Sequence, residues 1–360
     1  MAEPAPVRGF ATPEGTAGYR ARLGGRAAEG HFRTWQGLTL ASLGIGTYLG
    51  PEDDATDRAY QAAVRRALEL GWNVVDSAVN YRHQRSERSV GAALRALLTE
   101  VRIGREDLLL TTKGGFLPHP VERYVKAGVV AADEVVADSH CMAPRYLADQ
   151  LERSRANLGV ETIDVYFVHN PETQLEAVDR PTFTTRLRAA FEFLEGAVGD
   201  GKIRWYGAAT WTGFRQPATA RDHLSLGTLV GLAREVAGDG HHFGLIQLPY
   251  NLAMTEAVTL ANQRIGRTSV PVMQAAEQLG IYVMTSASLL QGRLARNLPA
   301  ELTQVLEGLR TDAQRALQFA RSTPGVGTAL CGMQSLPHVE ENAKLVAVPP
   351  VPGDKLFSRS

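Results

Sequence analysis

Short apolar runs alternate with amphipathic stretches along most of the chain. The runs are Leu43–Tyr48, Asn73–Asp76, Leu108–Lys113, Ile163–His169, Trp205–Ala208, Gly244–Leu248, Ile281–Thr285 and Gly327–Leu330. Each is bounded by Gly, Pro, Asn or a charged residue, as strands buried on both faces are. Between them, apolar residues recur at the helical period. Asp57–Leu70 sets Tyr60, Ala63, Val64, Ala67 and Leu68 on one stripe. Ser86–Leu98, Arg145–Leu158, Phe183–Gly199, Leu224–Ala237, Val270–Leu279, Glu301–Arg321 and Pro337–Leu345 follow the same rule. Eight strands alternating with about eight helices fit a closed (β/α)8 TIM barrel or a doubly wound open sheet. The count favours the barrel. So does Leu43–Tyr48, whose closely spaced glycines lack the third glycine of a dinucleotide-binding fingerprint.

No linker or change of composition divides the chain, so a single domain is expected. Residues 1–30, rich in Ala, Gly, Pro and Arg, read as an irregular N-terminal arm. Residues 31–345 carry the barrel pattern, beginning with a short hairpin over His31–Leu40, and 346–360 form a short tail. Two βα connections are long: Gly114–Pro144, about 30 residues, and Pro249–Thr268. Long ordered loops at the carboxyl ends of barrel strands are usually lids or binding loops.

Composition narrows the partners. The chain has 38 basic and 38 acidic residues, with a net charge of zero. Nothing in that balance favours nucleic acid or an anionic membrane. No apolar run approaches the length of a membrane span, and no secretory leader is visible. A soluble, cytoplasmic protein is expected. With two cysteines, Cys141 and Cys331, neither a disulfide framework nor a cysteine metal site is available. His140-Cys141 and His241-His242 lack further ligands at metal spacing, so no metal is expected.

Four polar residues stand at or just beyond strand ends: Asp76, Tyr81, Lys113 and His169. Neighbouring barrel strands bring them to one mouth. A lysine ammonium about 4 Å from a phenol is worth roughly 4 kcal/mol at an effective dielectric of 20. That is enough to lower the phenol from about 10 toward about 7, the working range of a general acid. Asp76 would hold the lysine charged, and His169 would hydrogen-bond and orient the reacting oxygen. The set contains no strong nucleophile. It suits protonating a carbonyl oxygen while a nicotinamide cofactor delivers hydride.

The stretches Gly71–Tyr81, Leu110–Lys113, Ile163–His169, Gly201–Gly207, Gln247–Asn251 and Glu340–Asn342 resemble the signature blocks of the aldo-keto reductases, in family order. The resemblance implies a (β/α)8 barrel with an extended nicotinamide cofactor across its mouth. It further implies carbonyl reduction with Tyr81 as acid, completed by Asp76, Lys113 and His169. Gln247 matches the position that holds the nicotinamide carboxamide. Where the family usually has Ser-Asn, this chain has Ala209-Thr210, so Thr210 alone carries over. The aromatic residue that commonly stacks on the nicotinamide falls on Ser286, which cannot stack. Leu289, Gln291 and Gly292 match the pyrophosphate side. Gly332, Gln334, Ser335, His338, Glu341 and Asn342 match the adenosine side, where Pro337 suits a first helical turn and Ser335 or its neighbours a cap.

Family members that favour NADPH usually place Lys or Arg at this last site. Here Arg293 and Arg296 are the nearby cations, so NADPH with modest discrimination against NADH is expected. Tyr48, Phe116, Trp211 and Tyr250 are candidate substrate walls, with Phe214 beside them. An aromatic mouth favours a bulky or ring-containing carbonyl. Oligomeric state stays open. So do two other functions: a cofactor-binding regulatory or scaffold subunit with little turnover, and a redox-neutral enzyme using the bound cofactor transiently.

Overall fold

The structure, a computed structural model, describes residues 5–100, 102–118, 120–302, 306 and 308–357. Ahead of the barrel lie helix α1 (Pro13–Leu23) and a hairpin of β1 (Phe32–Trp35) and β2 (Leu38–Ala41). Eight parallel strands follow: β3 (Leu43–Gly46), β4 (Val74–Asp76), β5 (Leu109–Gly114), β6 (Ile163–His169), β7 (Ile203–Ala209), β8 (Phe243–Pro249), β11 (Tyr282–Ser286) and β12 (Val326–Gly332). They close in the order β11-β12-β3-β4-β5-β6-β7-β8. β9 (Gln263–Ile265) and β10 (Thr268–Val270) make a small hairpin inside the connection after β8.

Helices α2 (Asp54–Leu70), α3 (Arg85–Thr99), α5 (Pro144–Leu158), α6 (Arg180–Gly199), α7 (Leu226–Ala237), α9 (Val272–Leu279), α10 (Asp312–Ser322) and α11 (Leu336–Ala343) form the outer layer. Short helices α4 (Glu122–Lys126) and α8 (Glu256–Thr259) sit in the two long connections. The stripe expected on α2 is the buried one: Tyr60, Ala63, Val64, Ala67 and Leu68. Asp53 caps that helix through Thr56 N at 2.7 Å, and Gly71 ends it in the left-handed region.

Side chains alternate across each strand, and the interior faces form one cluster. Val74, Leu109, Val165, Phe167, Leu245, Met284 and Leu330 fill the barrel. Trp35, Leu38 and Leu40 of the hairpin belong to the same cluster and plug its bottom. The period of two carries that interior face upward to the mouth. From Val74 it reaches Asp76; from Leu109, Thr111 and Lys113; from Phe167, His169; from Leu245, Gln247. The register pairs Asp76 with Thr111 and Lys113 with Phe167, so these ends stand side by side.

Two expectations are corrected. The N-terminal stretch contains α1 rather than being irregular throughout. Thr12 accepts from Gly15 N at 3.0 Å, Pro13 opens the helix, and Thr16, Tyr19 and Leu23 are buried. These residues outweigh the Gly- and Ala-rich composition around them. The long helix expected over Glu301–Arg321 is also not continuous. α10 begins only at Asp312, capped by Thr311, whose side chain accepts from Gln314 N. Residues 303–305 and 307 lie outside the described residues.

Candidate active site

Asp76 is the hub. Its Oδ2 accepts from Lys113 Nζ at 2.6 Å. Its Oδ1 accepts from Thr111 Oγ1 at 2.7 Å and Gln247 Nε2 at 3.0 Å. Lys113 is fully buried and also donates to the Ser77 carbonyl at 2.8 Å. A buried ion pair survives only when its remaining donors and acceptors are satisfied, and here the neighbouring strands supply the partners. Thr111 escaped the sequence reading. Its signal was its position, two residues before Lys113 on the same strand face.

The Lys113 ammonium stands 4.9 Å from the centre of the Tyr81 ring. That ring is edged by Tyr48 at 4.8 Å and faces His169 at 5.8 Å. The backbone just past Tyr81 is left-handed at Arg82, His83 and Gln84, with φ of 49°, 48° and 69°. Arg82 locks this turn: its guanidinium is buried and donates to Asp57 Oδ1 at 2.7 Å and the Pro51 carbonyl at 2.9 Å. The four residues expected at the mouth are therefore brought together.

Their electrostatics differ from the simple pair. Burial raises the Tyr81 phenol above its ordinary value of 10, outweighing the lowering by Lys113. The acidification expected from the ammonium alone is overturned, because desolvation opposes the phenolate. Burial works against the Lys113 charge too, but Asp76 and then Tyr81 more than compensate, so its ammonium is held above the ordinary lysine value. Burial, then Lys113 and His140, push His169 well below 6.5. At neutral pH the site presents a neutral phenol, a charged lysine and a neutral imidazole.

The candidate walls separate into two groups. Tyr48 and Trp211 are large exposed residues at the mouth. Phe116 is half-buried and edges His169 at 5.0 Å. Tyr250 is corrected: it is fully buried, stacks on Phe319 of α10 at 5.6 Å, and its hydroxyl accepts from Thr323 at 2.9 Å. It faces the helix layer, as does the buried Phe214, which lies in that outer core. A cleft of about 410 Å³ lies beyond the ends of β6 and β7, lined by Asn170, Glu172, Thr173, Trp211, Thr212 and Arg221, among others.

At the ends of β7 and β8, Thr210 and Gln247 are both buried and joined through Thr210 N to the Gln247 carbonyl at 2.8 Å. After β11 the backbone is left-handed at Ala287, Leu290, Gln291 and Gly292. Leu289 is half-buried there, while Gln291, Gly292 and Arg293 are exposed. Gly332, Gln334 and His338 are exposed beside α11, and Ser335 precedes that helix without capping it through its side chain. Glu341 is engaged by Thr311 Oγ1 at 2.9 Å. Asn342 donates to Met333 Sδ at 3.2 Å and leaves its Oδ1 buried without a partner, as Ser288 leaves its Oγ.

Among the described residues, no cluster of three or more His, Cys, Asp or Glu could hold a metal ion. No helix among them is long and apolar enough to cross a membrane.

An eight-stranded barrel with this polar cluster at its carboxyl rim defines a class, and comparison with known proteins assigns it. The profile of the aldo/keto reductase family matches residues 42–355, and the chain belongs to that family. It is 29% identical over 143 residues to aldo-keto reductase family 1 member C2 from Homo sapiens, covering 40% of this chain and 33% of that protein. It is 27% identical over 177 residues to an NADH-specific methylglyoxal reductase from Escherichia coli (strain K12), covering 48% and 49%. These alignments span a third to a half of the relatives' length. Among solved structures, it is similar to an aldo/keto reductase from Klebsiella pneumoniae in complex with NADP and acetate. The TM-score is 0.62 at 23% identity, covering 91% of this chain and 93% of that one. An aldo-keto reductase from Bacillus halodurans in its holo form also gives 0.62, at 20% identity, covering 90% and 93%.

Proposed function

We propose that the protein is an oxidoreductase that reduces an aldehyde or ketone to an alcohol, with Tyr81 as the proton donor. The observation that carries this reading is the Tyr81 ring beside a buried, carboxylate-held ammonium at the rim of the barrel.

The residues present fit a nicotinamide dinucleotide. The arc from β11 to α11 offers an exposed left-handed turn, an uncapped helix start and two orphaned polar atoms, Ser288 Oγ and Asn342 Oδ1. A ligand rich in donors and acceptors would satisfy them. Leu289, Gln291 and Gly292 would hold its pyrophosphate side, and Arg293 would reach the 2′-phosphate of NADPH. Gly332, Gln334, Ser335, His338 and the neighbouring Asn342 would hold its adenosine side. Gln247 and Thr210 would hold the carboxamide. Glu341, engaged by Thr311, supports that wall from behind. When bound in reduced form, the cofactor supplies the hydride.

The chain's own residues do the rest. His169, neutral, donates a hydrogen bond to the carbonyl oxygen and sets its position. Tyr81 gives its proton to the same oxygen as negative charge develops there. A phenol that is neutral through physiological pH is competent as an acid. Lys113, held by Asp76, stabilises the phenolate left behind. Tyr48, Phe116 and Trp211 shield the reacting carbon from water and fit an apolar or ring-containing substrate.

NADPH is the proposed cofactor, with modest preference over NADH. Arg293 and Arg296 are exposed cations of this arc, and the stretch Gly332–His338 around Gln334 contains no Lys or Arg. One solved aldo/keto reductase from Klebsiella pneumoniae is in complex with NADP and another from the same organism with NADPH, whereas one curated relative is named NADH-specific. The test is a panel of aldehydes and ketones with both reduced cofactors, followed by cofactor absorbance. Net consumption supports a reductase. Product without consumption points to a redox-neutral enzyme. Cofactor binding without product points to a binder. A thousandfold preference between the two dissociation constants would overturn the modest-discrimination claim.

A further inference from the structure

The long connection after β5 returns one side chain to the catalytic cluster, His140. It is fully buried. Its Nε2 lies 2.8 Å from the His169 carbonyl oxygen, and its Nδ1 lies 2.8 Å from Gln174 Nε2. Gln174 donates a second time, to the His140 carbonyl at 3.2 Å. Its own Oε1 accepts from Arg186 Nη1 at 2.6 Å.

These contacts fix the protons in sequence. A guanidinium can only donate, so the Gln174 oxygen must face Arg186 and its amide nitrogen must face His140. Nδ1 of His140 is then an acceptor. Nε2 carries the hydrogen and donates to the carbonyl of His169. The neutral ring that this requires agrees with burial, which pulls His140 down to about 4.

The surrounding backbone is built to admit this bond. Gly115 has φ of +145°, and a Cβ there would come within 3.0 Å of the His169 oxygen and 3.1 Å of His140 Nε2. Gly115 N donates to Gln150 Oε1 at 2.6 Å, and Gln150 Nε2 donates to the Phe116 carbonyl at 2.8 Å, which roots the connection. Cys141 N donates to the Gly115 carbonyl at 2.8 Å and ties the two ends of the connection together. Phe116 then lies edge-on to both His140 and His169, at 5.1 and 5.0 Å.

We infer that His140 is a positioning residue for carbonyl reduction: locked as its Nε2–H tautomer by Gln174 and Arg186, it pins the backbone of His169 and so sets where that imidazole meets the substrate oxygen. The inference rests on the proposed role of His169. It also assigns a purpose to the long connection, which carries the donor to the strand end rather than only covering the mouth.

The test has two arms, both on the full-length protein. The first reads the wiring without turnover: long-range 1H–15N correlation of the imidazoles in histidine-labelled protein. His140 should appear as the Nε2–H tautomer, and Gln174→Leu should shift its Nδ1 resonance as that nitrogen loses its hydrogen-bond donor, while the His169 carbonyl keeps the proton on Nε2. An Nδ1–H tautomer, or a spectrum indifferent to Gln174→Leu, overturns the inference. The second arm compares His140→Phe with His140→Gln. Phenylalanine keeps ring volume but has no donor, whereas the glutamine amide reaches about as far as Nε2. His140→Phe should lower kcat about 10- to 100-fold, with substrate KM and cofactor Kd within about twofold. His140→Gln should recover to within about threefold of the parent. Equal loss in both variants, or no loss in either, overturns the inference. A parent protein that reduces no carbonyl refutes the proposed function instead, while the tautomer still reports on the wiring.

Discussion

At the ends of β4 and β5, the decisive polar groups are already engaged. Asp76 accepts three hydrogen bonds, and Lys113 is spent on Asp76 and a backbone carbonyl. At the ends of β11 and β12 the pattern reverses. The turn after β11 is exposed and left-handed at several non-glycine positions, and polar atoms of Ser288 and Asn342 are buried without partners. On the finished arc the Asp76–Lys113 pair is satisfied by the protein alone, whereas on the open arc Ser288 and Asn342 each keep a buried polar atom without a protein partner. Groups that meet developing charge gain most from being fixed beforehand, because no reorganisation is then needed during reaction. Groups that hold a large cofactor gain from leaving hydrogen bonds for it to complete.

The hardest blow to the finished arc is Lys113→Met. It strips the ammonium from Tyr81 and leaves Asp76 buried with only neutral partners. Carbonyl reduction should fall by about a thousandfold, and stability by about 3 kcal/mol, the low end for a broken buried pair. Steady-state rates and denaturant midpoints check both; a variant with parental rate would remove Lys113 from the mechanism.

Acid should unsettle the protein through its buried neutral histidines. Burial pushes His31, bonded to the Gly71 carbonyl at 3.0 Å, and His140 each to about 4. The unfolded chain takes up those protons near pH 6.5, so the folded state loses ground as pH falls below that value. Each contributes up to about 3 kcal/mol, complete above pH 6.5 and gone near pH 4. Urea midpoints at pH 7 and 4.5 should differ clearly, and the difference should shrink in His31→Gln.

Smaller effects belong to the mouth and the open arc. Trp211→Ala should raise KM for a ring-containing substrate several-fold with kcat nearly kept, since an indole in the proposed wall would touch substrate and transition state alike. Arg293→Ala should weaken NADPH about threefold to tenfold and leave NADH almost unchanged. Parallel titrations of the two cofactors read the difference, and equal weakening of both would take Arg293 off the 2′-phosphate.

Much of the finished arc was legible because strand geometry is periodic. Once Asp76, Lys113 and His169 are placed at the ends of consecutive parallel strands, a period of two puts them on the interior face. Thr111 obeys the same arithmetic. What the chain concealed lay in burial and in loops. Coulomb's law between Lys113 and Tyr81 was sound, but the desolvation that raises the phenol depends on how the site closes. Tyr250 has the composition of a wall residue, yet it turns outward to Phe319. His140 comes from a connection without periodicity, and its role emerges only when Gln174 and Arg186 meet it.

The most direct measurement is a single turnover of Tyr81→Phe with bound reduced cofactor and a good carbonyl substrate. The ring stays, the proton goes, and cofactor affinity should match the parent. Reduction slowed by about a thousandfold or more is the expected result. A variant that binds cofactor and keeps most of its rate would mean that another group supplies the proton.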